Sequence, residues 1–232
     1  MRGTLRAVAV AVAAAALLAA CPELETPLAT VSGRIVGASP GGYVYPWGRP
    51  DLKVAVASDG TYRLEAVPTS IDEFILFDGA PFPTGRAELV VLELEGGAEN
   101  RVGDRYGGGA TPPDPSLLMP LAASVLATVT VEGGATVVYP SFTVAGTEHQ
   151  SLIAASGNQL TIYPLPAGSW DVSARLPGFS GAQASIDAAP GLTMDAPLYL
   201  LIDGSAPAPG CAALPGCDGG LICNVTDGRC YP

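Results

Sequence analysis

His149 and Lys53 are the only histidine and the only lysine in 232 residues. That scarcity excludes a good deal of chemistry. A Ser–His–acid triad has to be built on His149 or not at all. A structural zinc site needs Cys-x-x-Cys pairs or added histidines at close spacing, and neither is present. Charge is sparse and mostly of one sign, with 22 acidic residues against 11 basic ones. No stripe of Lys and Arg exists to neutralise phosphates, so nucleic acid is excluded as a partner. Long helices are excluded as well. The chain has 29 glycines and 22 prolines, and beyond the first twenty positions no segment carries an apolar stripe of helical period.

What is present begins with an address. Arg2 and Arg6 precede an unbroken run of Ala, Val and Leu from Ala7 to Ala20. A basic start and a short apolar core have the form of a secretory signal. The run is shorter than the ~20 residues a membrane helix requires. It ends in Leu18-Ala19-Ala20-Cys21 and turns polar at Pro22-Glu23-Leu24-Glu25. This ending resembles the lipobox of bacterial lipoproteins. The resemblance implies a diacylglycerol on the Cys21 thiol, cleavage before Cys21, and attachment to the membrane through acyl chains. Pro22, where the enterobacterial sorting rule has Asp for retention, implies the outer membrane, on its periplasmic face or at the cell surface. The chain from Cys21 onward holds nine basic and 22 acidic residues, a formal charge of −13. It therefore has no electrostatic affinity of its own for anionic lipid.

With Cys21 given to lipid, four of the five cysteines remain: Cys211, Cys217, Cys223 and Cys230. An even set in an exported chain reads as disulfides, with three possible pairings that sequence does not choose between. A segment of this length buries too little to hold itself together without such staples. It serves as a recognition knob or as an inert cap. Asn224-Val225-Thr226 matches the glycosylation acceptor pattern, which has little meaning in a bacterial lipoprotein.

Between address and tail the chain reads as strands. Tyr62, Leu64 and Ala66 alternate with Thr61, Arg63 and Glu65. Ala127, Val129 and Val131 alternate with Thr128, Thr130 and Glu132, and Trp170, Val172 and Ala174 with Asp171, Ser173 and Arg175. Period two sends one set inward and the other outward. Turn clusters recur about every ten positions, which is the spacing of an all-β sandwich. An internal repeat relates Gly60-Thr61-Tyr62-Arg63-Leu64 to Gly168-Ser169-Trp170-Asp171-Val172. The expected organisation is a signal at 1–20, a tether at 21–28, a sandwich at 29–102, a Gly/Pro-rich linker at 103–116, a second sandwich at 117–203 and the cysteine tail at 204–232. The linker composition predicts some independence of the two sandwiches.

Val31-Ser32-Gly33-Arg34-Ile35-Val36, Leu52-Lys53-Val54-Ala55-Val56, Asp59-Gly60-Thr61-Tyr62-Arg63-Leu64 and Val67-Pro68 together resemble the carboxypeptidase regulatory-like, transthyretin-like domain. The second region is similar around Leu165 to Val172 and Pro177-Gly178-Phe179, although it lacks an opening strand with glycine. The resemblance implies an all-β chain: two tandem Greek-key, transthyretin-like β-sandwiches with a small disulfide-rich tail, in an accessory role without a reaction or cofactor.

Candidate chemistry is thin. Gly37-Ala38-Ser39-Pro40-Gly41 matches Gly-x-Ser-x-Gly, but Pro40, Gly41 and Gly42 prevent the helix that a nucleophile elbow requires. His149 lies in Gly146-Thr147-Glu148-His149-Gln150 and reads as a surface histidine. A serine hydrolase built on Ser39 and His149 is the weakest reading. Asp72, Glu73 and Asp78, and separately Asp104 and Asp114, lack the alternation of a calcium loop and read as solvated. An internal Lys53–Asn100 amide assisted by Glu88 or Glu93 is disfavoured, because alternation turns Lys53 outward between Leu52 and Val54. The segment Tyr43-Val44-Tyr45-Pro46-Trp47, with aromatics again at Phe74 to Phe82, reads as a loop whose rings Tyr43, Tyr45 and Trp47 are candidates for a glycan or protein surface. The sequence thus points to a lipid-anchored, non-catalytic stalk or binding module, with carbohydrate binding as the alternative.

Overall fold

The computed structural model describes residues 27–132, 139–154, 157–176 and 179–201, and the backbone of 222–224 and 229–231. Among these residues the regular structure is β, apart from two single turns of 3-10 helix at Pro50–Leu52 and Pro115–Leu117. The first sandwich contains β1 (Leu28–Val36), β2 (Tyr43–Pro46), β3 (Val54–Ala55), β4 (Thr61–Pro68), β5 (Glu73–Phe77), β6 (Ala87–Val91) and β7 (Glu99–Tyr106). The second contains β8 (Ala123–Val131), β9 (Ser141–Val144), β10 (Leu152–Ile153), β11 (Gln159–Leu165), β12 (Gly168–Arg175), β13 (Ala182–Ala188) and β14 (Thr193–Leu200). A separate hairpin pairs β15 (Ile222–Asn224) with β16 (Arg229–Tyr231).

The two sandwiches share one topology. The first has a three-stranded sheet β4-β1-β7 facing a four-stranded sheet β3-β2-β5-β6. The second has β11-β8-β14 facing β10-β9-β12-β13. In each three-stranded sheet the central strand pairs antiparallel on one side and parallel on the other. The alternation read from sequence sets the cores. Val31, Ile35 and Leu64 fill the first, and Val125, Val129 and Ile162 stand in the corresponding places of the second.

This equivalence corrects the repeat read from sequence. Gly60–Leu64 opens β4, in a three-stranded sheet, whereas Gly168–Val172 opens β12, in a four-stranded sheet. The true counterpart of β4 is β11. Ser58 to Pro68 therefore matches Ser156 to Pro166, with shared Ser and Pro at the ends and little else in common. Hydrogen bonding supports the new alignment. Ile35 N donates to Gly60 O at 2.8 Å, and Val129 N donates to Asn158 O at 2.9 Å. Both copies also carry one extra residue at the same place, between Leu64 and Val67 opposite Val31–Ala29, and between Ile162 and Leu165 opposite Val125–Ala123. A bulge of this kind interrupts the alternation. It is why Ala66 is exposed, at φ +55°, and Val67 takes the core position instead.

The missing opening glycine of the second copy has a steric explanation. Gly33 lies opposite Tyr62, and a Cβ at Gly33 would sit 2.3 Å from the Tyr62 hydroxyl. The buried Tyr62 ring occupies the space above the glycine. In the second copy the same pair is Ala127 and Leu160, where a smaller cross-strand side chain leaves room for a methyl.

The segment 103–116 is not a free linker. β7 runs to Tyr106, so positions 103–106 belong to the sheet. Gly108 N then donates to Asp78 Oδ2 at 3.0 Å. Asp78, read from sequence as solvated, is 1% exposed, and its Oδ1 accepts from Ala80 N and Arg86 N. Burying a carboxylate is costly unless it is hydrogen-bonded, and three backbone N–H groups offset that cost here. The same bonds tie the segment to the β5–β6 connection. Further on, Met119 is fully buried in the first core.

The Gly33–Tyr62 pair yields a test. Gly33→Ala is expected to cost about 1–3 kcal/mol, the usual penalty for overpacking a filled site. Gly33→Ala combined with Tyr62→Leu, which copies Ala127–Leu160, is expected to recover most of it. The Tyr62 hydroxyl has no hydrogen-bond partner to lose. Urea denaturation of the four variants measures the coupling, and additivity of the two changes would refute the steric account.

Candidate functional site

The residues richest in chemistry gather where the sandwiches meet. β2 and β5 show why. Val44, Phe74 and Leu76 point into the first core, while Tyr45 and Ile75, on the opposite face, belong to the core cluster of the second sandwich. The central pair of this sheet is therefore covered on both faces. Tyr45 and Ile75 are each 2% exposed. Phe77, Ala87 and Ala122 form a smaller apolar cluster that again joins the two halves, with Tyr43 and Tyr163 against it.

The seam carries an aromatic run. Tyr43 lies 5.8 Å from Tyr45 and 5.2 Å from Phe77. Phe77 meets Tyr163 edge-on at 6.0 Å, and Tyr163 meets Phe82 edge-on at 5.3 Å. These separations suit aromatic pairs, each contributing about 0.5–1.5 kcal/mol beyond burial. Tyr163 reaches Phe77 from within the bulged part of β11, which fits a bulge's capacity to redirect a side chain.

Polar contacts follow the same line. The Tyr45 hydroxyl accepts from Glu148 N at 3.1 Å. Lys53 pairs with the Glu148 carboxylate and lies 4.9 Å above the Tyr43 ring. Gly48 N donates to Gly146 O at 2.8 Å, Ala122 N to Gly85 O at 2.8 Å, and Ala87 N to Pro120 O at 3.1 Å. Gly146 has φ +76°, and a Cβ there would fall 2.1 Å from Nε1 of Trp47, so the indole rests directly on its backbone. Burial, and then the neighbouring Glu148 carboxylate, push the Tyr43 hydroxyl well above its ordinary range. It stays protonated and serves as a packing group.

The residues singled out from sequence divide between the seam and the surface. Tyr43 to Pro46 form a strand, not a loop. Tyr45 is inside the seam, Tyr43 is partly buried, and Trp47 is 44% exposed. Rings that looked available to a ligand cover the neighbouring sandwich. Lys53 turns outward from its own sandwich, as alternation predicts, and finds Glu148. Asn100 is engaged elsewhere: its Nδ2 donates to Glu95 O at 3.2 Å, and its Oδ1 accepts from Glu95 N at 3.0 Å.

His149 is not a surface residue. It is 7% exposed, and its Nε2–H donates to Pro164 O at 2.9 Å. Thr147 Oγ1 accepts from His149 N and donates to Val144 O. The polar residues of this turn satisfy one another, which is how a sequence that reads as a surface loop can be buried. Desolvation lowers the histidine pKa below its ordinary value. Ser39 lies after β1, where its backbone N donates to Asp78 O. Among the described residues no hydrogen bond joins Ser39 to His149, and no three His, Cys, Asp or Glu side chains come together to hold a metal.

One open groove of about 610 Å³ lies on the outer face of β4-β1-β7, with Ser32, Arg34, Arg63, Glu99 and Arg101 on its walls. Glu99 engages both Arg63 and Arg101 within it. Glu99 accepts from Ser32 Oγ at 2.7 Å and pairs with Arg63 at 3.3 Å. Cys21, Cys211 and Cys217 lie outside the described residues. Cys223 and Cys230 stand opposite each other in the register of β15 and β16. Among the described residues no helix is long and apolar enough to cross a membrane.

No protein-family model and no curated protein matches the chain. Among solved structures it is similar to the Bacillus anthracis TIE protein at 10% identity, with a TM-score of 0.29, over 76% of this chain and 34% of that one. It is similar to the minor pilin of Streptococcus agalactiae at 9% identity, with a TM-score of 0.31, over 76% and 96%. A variant of the shaft pilin SpaA of Lactobacillus rhamnosus GG gives 7% identity and a TM-score of 0.25 over 77% and 100%. The chain thus spans about a third of the Bacillus anthracis protein. The sandwich assignment rests on strand order and register.

The seam generates two tests. Ile75→Ala should cost about 2–4 kcal/mol and split a single calorimetric unfolding transition into two, since the sandwiches would no longer unfold together. One undivided transition in that variant would show that the seam does not couple them. The second concerns pH. His149 has a lowered folded pKa, so the unfolded chain binds the proton more readily. Its contribution is complete above about pH 6.5, the unfolded value, and is lost as pH falls below it. Melting temperature should therefore drop on acidification from about pH 7 to about pH 5.5, and His149→Gln should flatten that drop. An unchanged slope in the variant would exclude His149 as its source.

Proposed function

We propose that the protein is an exported, lipid-anchored module of a bacterial cell envelope, acting as a rigid stalk and carrying out no reaction. The observation that supports this is the seam. Tyr43, Tyr45, Lys53 and Glu148, residues well suited to binding, are engaged in holding one sandwich on the other, and His149 is tied to Pro164 inside the second sandwich. A rigid junction of this kind suits a protein that must keep its two ends a set distance apart.

The course of the chain fits that role. From an acylated Cys21 to β1 there are only the six residues Pro22 to Pro27, a reach of at most about 20 Å. They would hold the first sandwich beside the bilayer. β8 and β14 both start near the seam and run parallel for eight paired residues to Val131 and Leu200. At ~3.3 Å per residue the chain leaves the second sandwich about 25 Å from the seam. The cysteine tail then follows as the recognition element, with a protein or glycan as its partner. An accessory, carboxypeptidase regulatory-like character and outer-membrane sorting through Pro22 belong to the same reading. Carbohydrate binding by the Tyr43–Trp47 segment is weaker, because Tyr45 is buried and the Trp47 indole rests on Gly146.

The anchor is tested by growing expressing cells with an alkyne analogue of palmitate. The wild-type chain should take up label and sediment with membranes, and Cys21→Ser should do neither. An unlabelled, freely soluble wild-type chain would overturn the reading.

A further inference from the structure

The register of the terminal hairpin chooses between pairings that the sequence leaves open. β15 and β16 run antiparallel, with Ile222 opposite Tyr231, Cys223 opposite Cys230 and Asn224 opposite Arg229. Directly opposed residues in an antiparallel pair have Cα atoms about 4.5–5.5 Å apart. A disulfide joins Cα atoms about 4.4–6.8 Å apart. A slip of one residue would set Cys223 against Arg229 or Tyr231, and the match would be lost. We infer that Cys223 and Cys230 form a disulfide across this hairpin. With two bridges among four cysteines, Cys211 and Cys217 are left to each other.

The inference rests on the exported reading above, because the bond needs an oxidising compartment. Its chemistry is thiol–disulfide exchange. The Cys223 and Cys230 thiols together give up two protons and two electrons as the S–S bond forms, and a donor protein disulfide of the compartment is reduced to its dithiol. The hairpin has two short strands of three residues each, and an isolated two-stranded hairpin is marginal in water. A cross-strand bond closes a ring over positions 223 to 230 and removes most of the open conformations. The bond thus does for this piece what a hydrophobic core does for each sandwich.

The arrangement of aspartates makes the pairing readable. Asp203, Asp218 and Asp227 divide the tail so that cleavage before aspartate gives 203–217 with Cys211 and Cys217, 218–226 with Cys223, and 227–232 with Cys230. The full-length protein is taken from the membrane fraction, blocked with iodoacetamide without reduction, digested, and measured by mass spectrometry. The expected products are 218–226 joined to 227–232, and a separate 203–217 that is two hydrogens lighter than its reduced form. Either alternative pairing joins all three peptides into one species. That result would overturn the Cys223–Cys230 bond and leave the exported reading standing. Alkylated cysteines at 223 and 230 in the unreduced sample would overturn the bond and count against the exported compartment as well.

Discussion

Burial of the β2–β5 pair on both faces is the constraint on which the arrangement of this molecule depends. A sandwich normally covers one face of each sheet and leaves the other to water, and its strands then alternate apolar with polar residues. β5 does not alternate: Phe74, Ile75, Leu76 and Phe77 are all buried. Two of the four contribute to each core or junction, so neither sandwich can be removed without exposing apolar surface on the other. At about 1.5–3 kcal/mol for each large apolar side chain buried, Tyr45 and Ile75 alone outweigh any single hydrogen bond across the seam. The two sandwiches are thus made into one body by apolar residues of two neighbouring strands, β2 and β5, of the first.

The two sandwiches share strand order and register while the side-chain pairs within them differ. Tyr62 over Gly33 and Leu160 over Ala127 fill the same volume in different ways. This limits what can be read from sequence. Fold class was legible, because period-two alternation survives in β4, β8 and β12 whatever the side chains. The tandem repeat was legible only in outline. The most similar short motifs, Gly60–Leu64 and Gly168–Val172, both mark tight turns entering strands, and such turns recur at unrelated corners of a sandwich. The true equivalents share a bulge and a backbone hydrogen bond, neither of which is written in residue identity.

The site was less legible for a related reason. Tyr43-Val44-Tyr45-Pro46-Trp47 looks like an exposed loop because proline follows and glycine precedes it. A four-residue strand ending in proline gives the same pattern when its last residue has no ladder bond to donate. The informative signal in the sequence is the segment Phe74–Phe77. Four consecutive large apolar residues beside an aromatic-rich strand indicate a sheet buried on two sides. His149 reads as a surface residue because a turn that satisfies its own polar groups has the composition of a surface loop. Asp78 reads as solvated because a single aspartate gives no sign that three backbone N–H groups converge on it. Neither arrangement leaves a local pattern, since each depends on segments distant in sequence.

Electrostatics decides how the seam can be held. From residue 27 to 122 the chain has seven basic and 12 acidic residues, and from 123 to 203 it has one and six. Each sandwich therefore carries a formal charge of −5, and at long range the two repel. The Debye length at physiological ionic strength is ~8 Å, so this repulsion is weak at the separations that matter and weaker still in added salt. The ion pair that crosses the seam, Lys53 to Glu148, is partly exposed and contributes on the order of 0.2–1 kcal/mol. It cannot be the main attraction. Its value is directional: the only lysine in the chain stands over the Tyr43 ring and meets the carboxylate whose backbone N–H is bound by Tyr45. Apolar burial brings the sandwiches together, and the Lys53–Glu148–Tyr45 contacts fix the orientation in which they dock. A junction built in this way holds its shape over a wide range of ionic strength, because salt screens the repulsion between the sandwiches and leaves the apolar contact in place.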